Sequence, residues 1–266
     1  MKYESIASKL VSLEKKVGKN LIYRMFEGKN KKEIVFIIGH MRSGSSLVSH
    51  IIFSNSAVIG YGETHNKYED VTDFGAVAAR ICRKTRQMPL GKRYFLDKVL
   101  HKEHIKDKKI MNHDAVSIVF ITRRPDHAMS SIVKNTPISD PEEAYGHYVS
   151  QVKYISKLSR TTSKDKWIHI SYEDLIKNTA STFNLIEDLM DLSENLSESY
   201  EITKFTGKSP IGDPGPNISK GRIKRDINHD TNSSVTKFVK KAKKELISCI
   251  STLEKNGKAH EGNLIS

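Results

Sequence analysis

Residues 33–53 constrain the fold more than any other part of the chain. Residues 33–38 form an almost continuous apolar run rich in β-branched side chains, which is typical of a strand buried on both faces. A turn containing Gly39 and Gly44 follows, and residues 45–53 have the pattern of a helix. A strand, a glycine-rich turn and a helix in this order predict an anion-binding loop, because backbone N–H groups and the positive end of the helix dipole converge there.

The loop departs from a nucleotide P-loop at one informative place. Gly39 and Gly44 have the P-loop spacing, but Ser45 and Ser46 stand where Lys-Ser or Lys-Thr would follow. The lysine that reaches the terminal phosphates of a nucleotide is therefore missing, and a cation, Arg42, lies inside the loop instead. This pattern argues against a standard ATPase or GTPase.

The rest of the chain alternates strand and helix patterns, which predicts an α/β fold with a central parallel sheet flanked by helices. Further strands are predicted at 57–60, 93–97, 116–121 and 167–170. Helices are predicted at 3–17, 69–86, 179–191 and 233–254, with Pro125 in the first turn of another and Asp140 as the N-cap of one more. One domain over residues 1–266 is expected, with a long loop at 205–231.

Composition excludes several other classes of protein. The chain has two cysteines, Cys82 and Cys249, which speaks against a disulfide framework or a zinc cluster and suits a reducing cytosol. It has no apolar stretch long enough to span a bilayer and no signal-peptide core near its first residue. We therefore expect a cytoplasmic protein without a membrane span.

A second anion motif follows the predicted strand at 116–121. Arg123 stands at the end of that strand, where a guanidinium can bind a phosphate through two parallel hydrogen bonds. Ser131 comes eight residues later, inside the following helix, and can donate a further hydrogen bond to the same group. The residue types at this strand end are therefore suited to binding an anion.

These segments together resemble a known family, the sulfotransferases that use 3′-phosphoadenosine-5′-phosphosulfate (PAPS). Residues 36–47 resemble the family's 5′-phosphosulfate loop, and residues 121–131 resemble its 3′-phosphate motif. Two shorter matches, at residues 170–175 and 219–221, resemble its Tyr-Glu-Asp-Leu segment and its late basic segment. The resemblance implies a P-loop-like nucleotide hydrolase fold, PAPS as co-substrate, its desulfated form PAP as product, and no metal. The donor-binding residues that it implies are Arg42, Ser43, Gly44, Ser45, Ser46, Arg123, Ser131, Tyr172, Lys220 and Gly221.

The resemblance also implies catalytic roles. Arg42 would neutralise the bridging oxygen and the transferring sulfuryl group, and Lys98 resembles a strand-end lysine that contacts the leaving group. Glu63 follows the predicted strand at 57–60, so it can face the same sheet edge as the loop. Its segment resembles the Gly-Glu segment of tyrosylprotein and some bacterial sulfotransferases, in which a glutamate takes the acceptor proton. His65 and His101 are the alternative bases.

We therefore predict a sulfotransferase that acts on a hydroxyl or amine, and composition favours a carbohydrate or another polar, acidic acceptor. A degenerate P-loop kinase or NTPase is the alternative, with Asp97 imitating a magnesium-binding aspartate. A basic nucleic-acid-binding module is a third hypothesis, which rests on the net charge of +13. Aromatic residues are not interleaved with the basic runs, as a stacking platform requires, so no nucleic-acid partner is expected.

Overall fold

A parallel β-sheet organises the chain. The computed structural model describes residues 18–29, 31–207, 217–225 and 231–259. The strands within these ranges are β1 Glu33–Gly39, β2 Val58–Gly60, β3 Tyr94–Val99, β4 Val116–Thr122, β5 Trp167–Ser171 and β6 Lys258–Ala259. Their order across the sheet is β2-β3-β1-β4-β5-β6, and every neighbouring pair is parallel. The predicted α/β fold with a central parallel sheet is confirmed.

Helices flank the sheet. They are α1 Ser45–Phe53, α2 Asp73–Thr85, α3 Pro125–Asn135, α4 Pro141–Thr161, α5 Tyr172–Lys177, α6 Thr179–Met190 and α7 Thr236–Asn256. Residues 18–23 are also helical. Short 3-10 turns lie at Arg24–Phe26, Lys102–His104, Lys108–Asn112, Lys164–Lys166, Ile218–Lys220 and Ser233–Val235. As predicted, Pro125 opens α3 and Asp140 caps α4, its carboxylate accepting the Glu143 N–H at 2.8 Å.

The central strand β1 separates the core into two layers. Ile34, Phe36 and Ile38 pack into one apolar cluster, whereas Val35 and Ile37 pack into the other. All five side chains are at most 1% exposed, so β1 is buried on both faces. The carboxyl ends of β1 and its neighbours β3 and β4 therefore meet at one protected sheet edge, where ligands bind in such folds.

Some boundaries differ from those predicted. The helix expected at 69–86 begins at Asp73, because its carboxylate accepts the N–H groups of Glu69 and Asp70 and holds them in a preceding turn. The strand expected at 93–97 continues to Val99, so Lys98 lies within β3. In the expected loop 205–231, residues 218–220 form a 3-10 turn, while 208–216 and 226–230 lie outside the described residues.

Two other predictions cannot be compared with the structure. The expected helix at 3–17 lies outside the described residues, and a single domain over 1–266 stays a prediction. In the part of the chain that the structure describes, no helix combines the length and the apolar character that a bilayer crossing requires.

Candidate active site

The phosphate loop (residues 39–46) leads from β1 into α1. Gly44 has a φ of 93° and stands directly before the helix, and a Cβ at this position would lie 2.4 Å from the Tyr172 ring. Only glycine combines this left-handed backbone with so close an approach. Within the described residues no side chain caps α1, so the N–H groups of its first turn can serve an anion. Ser43 and Ser45 are buried in the loop.

Arg42 joins the phosphate loop to the second motif. Its φ of 62° is in the left-handed region, which a non-glycine residue seldom adopts and which is common at functional sites. Its Nε donates to Ser131 Oγ at 2.9 Å, and Asn135 Nδ2 donates to the same oxygen at 3.2 Å. Two residues that the sequence assigned to separate anion motifs are thus in direct contact.

Arg123 is held on every side at the end of β4. Its Nη1 donates to the Arg42 carbonyl at 3.1 Å, and its Cζ lies 4.2 Å from the centre of the Tyr172 ring. Its backbone N–H donates to His40 Nε2 at 3.2 Å, and its carbonyl accepts from the Tyr148 hydroxyl at 2.8 Å. The side chain is 8% exposed, so its position is set before any ligand arrives.

His40 is a part of the site that sequence reasoning missed. It is fully buried, and burial lowers its pKa to about 3, so the imidazole is neutral. Because Nε2 accepts from Arg123, Nδ1 carries the proton and donates to the Met41 carbonyl at 2.8 Å. This imidazole fixes the phosphate loop to the second motif. The only signal was a histidine directly after the first glycine of the turn, and no sequence pattern identified its partner.

Lys98 and Glu63 lie on the other side of the phosphate loop. Lys98 Nζ donates to Ser46 Oγ at 3.0 Å and lies 3.6 Å from Glu63 Oε1. Both charged side chains are buried, at 5% and 7% exposed. The other carboxylate oxygen, Glu63 Oε2, lies 3.5 Å from His65 Nδ1, and the His65 side chain is 41% exposed. The site therefore has a buried carboxylate between a cation and an imidazole that reaches solvent.

His101 stands farther from the carboxylate than His65 does. The His65 and His104 ring centres are 6.1 Å apart, and those of His104 and His101 are 5.3 Å apart. Burial, and then the neighbouring imidazoles, lower the pKa of His104. Among the contacts of the described residues, no hydrogen bond or ion pair joins His101 to Glu63. Of the three base candidates, Glu63 and His65 are in contact with each other, whereas His101 lies against the ring of His104.

The late basic segment lies near α1. Gly221 has a φ of 66°, and its carbonyl accepts the Tyr200 N–H at 2.8 Å. The Tyr200 ring lies 5.5 Å from the ring of His50 on α1. Lys220 is exposed in this turn, and within the described residues no contact joins it to the phosphate loop.

Side-chain cations supply the positive charge of this site. Among the described residues, no group of three or more His, Cys, Asp or Glu side chains could hold a metal ion. Arg42, Lys98 and Arg123 surround the phosphate loop instead. An anionic ligand would therefore find its charge balanced by arginine and lysine.

Comparison with known proteins was made by sequence and by structure. No protein-family model and no curated protein sequence matches the chain. Among solved structures, the sulfotransferase domain from the curacin biosynthetic pathway matches with a TM-score of 0.54 and 14% identity, over 80% of this chain and 98% of that domain. The fold is a sulfotransferase fold. The sulfotransferase domain from the Synechococcus PCC 7002 olefin synthase matches with a TM-score of 0.52 and 16% identity, over 86% of this chain and 97% of that domain.

The sulfotransferase fold explains why the two motifs meet. In this chain β1 and β4 are neighbours, and Gly39 pairs with Ile121 at their carboxyl ends. The residues that follow each strand, Arg42 and Arg123, are consequently brought to the same sheet edge. The predicted fold class is confirmed, and the two sulfotransferase domains share this fold.

Proposed function

We propose that this chain is a sulfotransferase, which transfers a sulfuryl group from PAPS to a hydroxyl or amine of an acceptor. One observation carries the proposal: two anion motifs from different strands form one site, through the contacts of Arg42 with Ser131 and with Arg123. A nucleotide triphosphate has consecutive phosphates and needs one such loop. PAPS has phosphate groups at both the 3′ and the 5′ positions of its ribose, so its site needs a second anion motif beside the loop.

The donor-binding residues fit such a ligand. The free N–H groups at the start of α1, with Ser45 and Ser46, would hold the 5′-phosphosulfate. Arg123 and Ser131 would bind the 3′-phosphate. Tyr172, already stacked on Arg123, would border the adenine. The residues of the late segment, Lys220 and Gly221, would close over the donor.

The catalytic step follows from the surroundings of Glu63. Glu63 would take the proton from the acceptor hydroxyl, whose oxygen forms a bond to sulfur while the bond from sulfur to the 5′-phosphate oxygen breaks. That oxygen keeps the electron pair, and Lys98 and Arg42 neutralise its charge. The proton then leaves through His65, which is 3.5 Å from the carboxylate and reaches solvent. Arginine and lysine replace a metal ion, so positioning and charge stabilisation account for catalysis.

The acceptor that we propose is polar and anionic, such as an acidic carbohydrate. The His65 side chain lies 3.5 Å from Glu63 and is 41% exposed, and the basic side chains of Lys67, His101 and Lys102 in the neighbouring segments are exposed or half-exposed. We also propose a cytoplasmic location, which is supported by two cysteines that are both free.

The structure speaks against the kinase or NTPase alternative, in which Asp97 would bind magnesium. Asp97 is 1% exposed, and its two carboxylate oxygens accept three hydrogen bonds from Thr64 and Tyr68. A carboxylate bound in this way is not available to a metal ion.

A thermal-shift panel tests the donor first. PAP should raise the melting temperature without magnesium, because side-chain cations replace the metal. A protein stabilised only by ATP with magnesium, and not by PAP, would contradict the proposal. Transfer from radiolabelled PAPS to a panel of glycans, lipids, phenols and peptides then tests the reaction, with Glu63→Gln as the matched control. The wild-type protein should label at least one acceptor that Glu63→Gln, still binding PAP, does not label.

A further inference from the structure

Asp97 is a buried carboxylate for which the proposed reaction has no direct use. Oδ1 accepts the Thr64 N–H at 2.8 Å, and Oδ2 accepts the Thr64 hydroxyl at 2.7 Å and the Tyr68 hydroxyl at 2.5 Å. Within the described residues, no cation forms an ion pair with it. Burial raises its pKa to about 6. A carboxylate buried without a cation usually costs folding free energy, so its presence here calls for another explanation.

The three donors belong to the loop that carries Glu63, here named the base loop (residues 61–68). Apart from a bridge at Tyr68, this loop has no regular secondary structure. Gly62 and His65, on either side of Glu63, have φ values of 118° and 53°, so two left-handed residues flank the catalytic carboxylate. Such a backbone persists only where surrounding contacts hold it.

Asp97 and its neighbour Lys98 provide those contacts from two sides. Consecutive strand residues point to opposite faces of the sheet. Lys98 approaches the Glu63 side chain at 3.6 Å, and its N–H donates to the Gly62 carbonyl at 3.3 Å. On the other face, Asp97 binds the backbone N–H of Thr64, the residue directly after Glu63. The base loop is thus fixed immediately before and immediately after its catalytic side chain.

We propose that Asp97 is a positioning residue, which fixes the base loop so that the Glu63 carboxylate stays beside Lys98. This inference rests on the proposed function, in which Glu63 is the base. On this view, the Asp97 carboxylate is buried at a cost in folding free energy because the reaction depends on it. A folded-state pKa above the ordinary value means that ionised Asp97 disfavours the folded state, and this penalty grows as the pH rises from about 4 to above 6. Removing the carboxylate should therefore impair the reaction more than it impairs folding.

The test compares Asp97→Ala with Asp97→Asn, using PAPS in water as the probe and sulfate release as the rate. Asp97→Ala should lower the rate by about 10²-fold, the usual effect of misplacing a reacting group by about 1 Å. PAP affinity, measured by calorimetry, should stay within about twofold. Asp97→Asn should recover part of the rate, because the amide oxygen can accept from the Thr64 N–H while its NH2 donates to either hydroxyl. Asp107→Ala, which removes the cap of a 3-10 turn outside the base loop, is the control and should keep the wild-type rate.

Hydrogen exchange provides a readout that does not depend on turnover. In the PAP-bound protein, Asp97→Ala should accelerate amide exchange at residues 62–66, because the Thr64 N–H loses its acceptor. In a Glu63→Gln background, Asp97→Ala should cause no further loss of rate, because the two residues act as one unit. Each of three results would overturn the inference. Amide exchange at residues 62–66 could be the same in Asp97→Ala as in the wild type, or the rate loss of the double variant could equal the product of the two single losses. PAP affinity could also fall in Asp97→Ala as much as the rate does.

Failure of the inference can be told apart from failure of the proposed function. If the wild-type protein does not bind PAP, the proposed function fails. If Glu63→Gln releases sulfate at the wild-type rate, the base is His65 or His101, and the inference about Asp97 fails with the assignment of Glu63. If Glu63→Gln is inactive while Asp97→Ala keeps the wild-type rate, only the positioning role of Asp97 is wrong.

Discussion

The two halves of the site are built differently. In the donor half, Arg123 is fixed by hydrogen bonds of 2.8 to 3.2 Å from its backbone and its side chain, and its partners follow regular strands or lie on long helices. In the catalytic half, Glu63 lies on an irregular loop, and its closest partners, the His65 imidazole and the Lys98 ammonium group, are 3.5 and 3.6 Å away. Ser46 and Lys98 provide the link between the halves.

Because the two halves are built differently, we expect the donor half to determine PAP affinity and the catalytic half to determine turnover. A preorganised donor half needs little rearrangement when PAPS arrives, so its residues should determine affinity. Catalytic hydrogen bonds are often long in free enzymes and tighten only around the reacting groups. Substitutions in the catalytic half should therefore change turnover and leave PAP affinity almost unchanged.

The largest effect is expected at Arg123. Arg123→Ala should weaken PAP binding by about 2–5 kcal/mol, the usual loss when one partner of a buried charge pair is removed. Calorimetry measures this loss directly. Arg124→Ala is the matched control, because the Arg124 guanidinium is bound to Asp126 at 2.9 Å. Equal losses in the two variants would mean that general positive charge, and not the position of Arg123, binds the ligand.

The next largest effect is expected at Lys98. Lys98→Ala should lower sulfate release from PAPS by about 10²-fold, because a cation beside the leaving oxygen is removed while Arg42 remains. PAP affinity should fall much less. Lys92→Ala is the control, since the Lys92 side chain lies before β3 and donates to the Ser56 carbonyl at 2.7 Å. A loss of affinity that exceeds the loss of rate would assign Lys98 to the donor half.

Gly44 tests how tightly the phosphate loop is packed. Gly44→Ala should destabilise the fold by about 1–3 kcal/mol, because the new methyl group meets the Tyr172 ring in a left-handed backbone. Gly146→Ala is the control within α4, where nothing lies within 4 Å, and it should stabilise by about 0.5–1 kcal/mol. Denaturant unfolding measures both free energies. If Gly44→Ala left the free energy of unfolding unchanged, the phosphate loop would be less tightly packed than the structure indicates.

The smallest effect at pH 7 is expected at His40, whose contribution to stability depends on the pH. Its pKa is about 3 in the folded protein and 6.5 ordinarily, so the unfolded chain takes up the proton first. The stability that depends on neutral His40 is present above pH 6.5 and is lost as the pH falls towards 3. His40→Gln should therefore lose less melting temperature than the wild type between pH 7 and pH 4. Equal losses would contradict the assignment of a neutral, buried imidazole. At pH 7 the variant should lose about 1 kcal/mol, the net value of one hydrogen bond.

The sheet and α1 could be predicted from sequence because buried parallel strands are continuous apolar runs and the glycine turn marks the start of the helix. Residues 33–39 and 45–53 have these patterns without interruption. The strand β6 was missed. β6 has two residues, too few for any periodicity, and it exists only through its pairing with Ile168 and His169. Nonlocal pairing of this kind leaves no local pattern.

The contacts within the site also arise from nonlocal pairing, so the sequence predicts its residues but not their contacts. Arg42, Arg123 and Ser131 could be named because their segments resemble the two phosphate motifs of PAPS-dependent sulfotransferases. Their mutual contacts, and the link through His40, depend on the register of β1 with β4, which no local pattern reveals. Asp97 shows the consequence: the sequence suggested a metal ligand in the alternative function, whereas the carboxylate binds Thr64 and Tyr68.

Titration of PAP against adenosine 5′-monophosphate, which lacks the 3′-phosphate, tests the central claim that two anion motifs form one PAPS site. The wild-type protein, without magnesium, should bind PAP more tightly by about 2–5 kcal/mol. In Arg123→Ala this preference should shrink to the smaller part that the Ser131 hydroxyl provides, because the guanidinium that binds the 3′-phosphate is gone. Equal wild-type affinity for the two nucleotides, or the full wild-type preference in Arg123→Ala, would contradict the account.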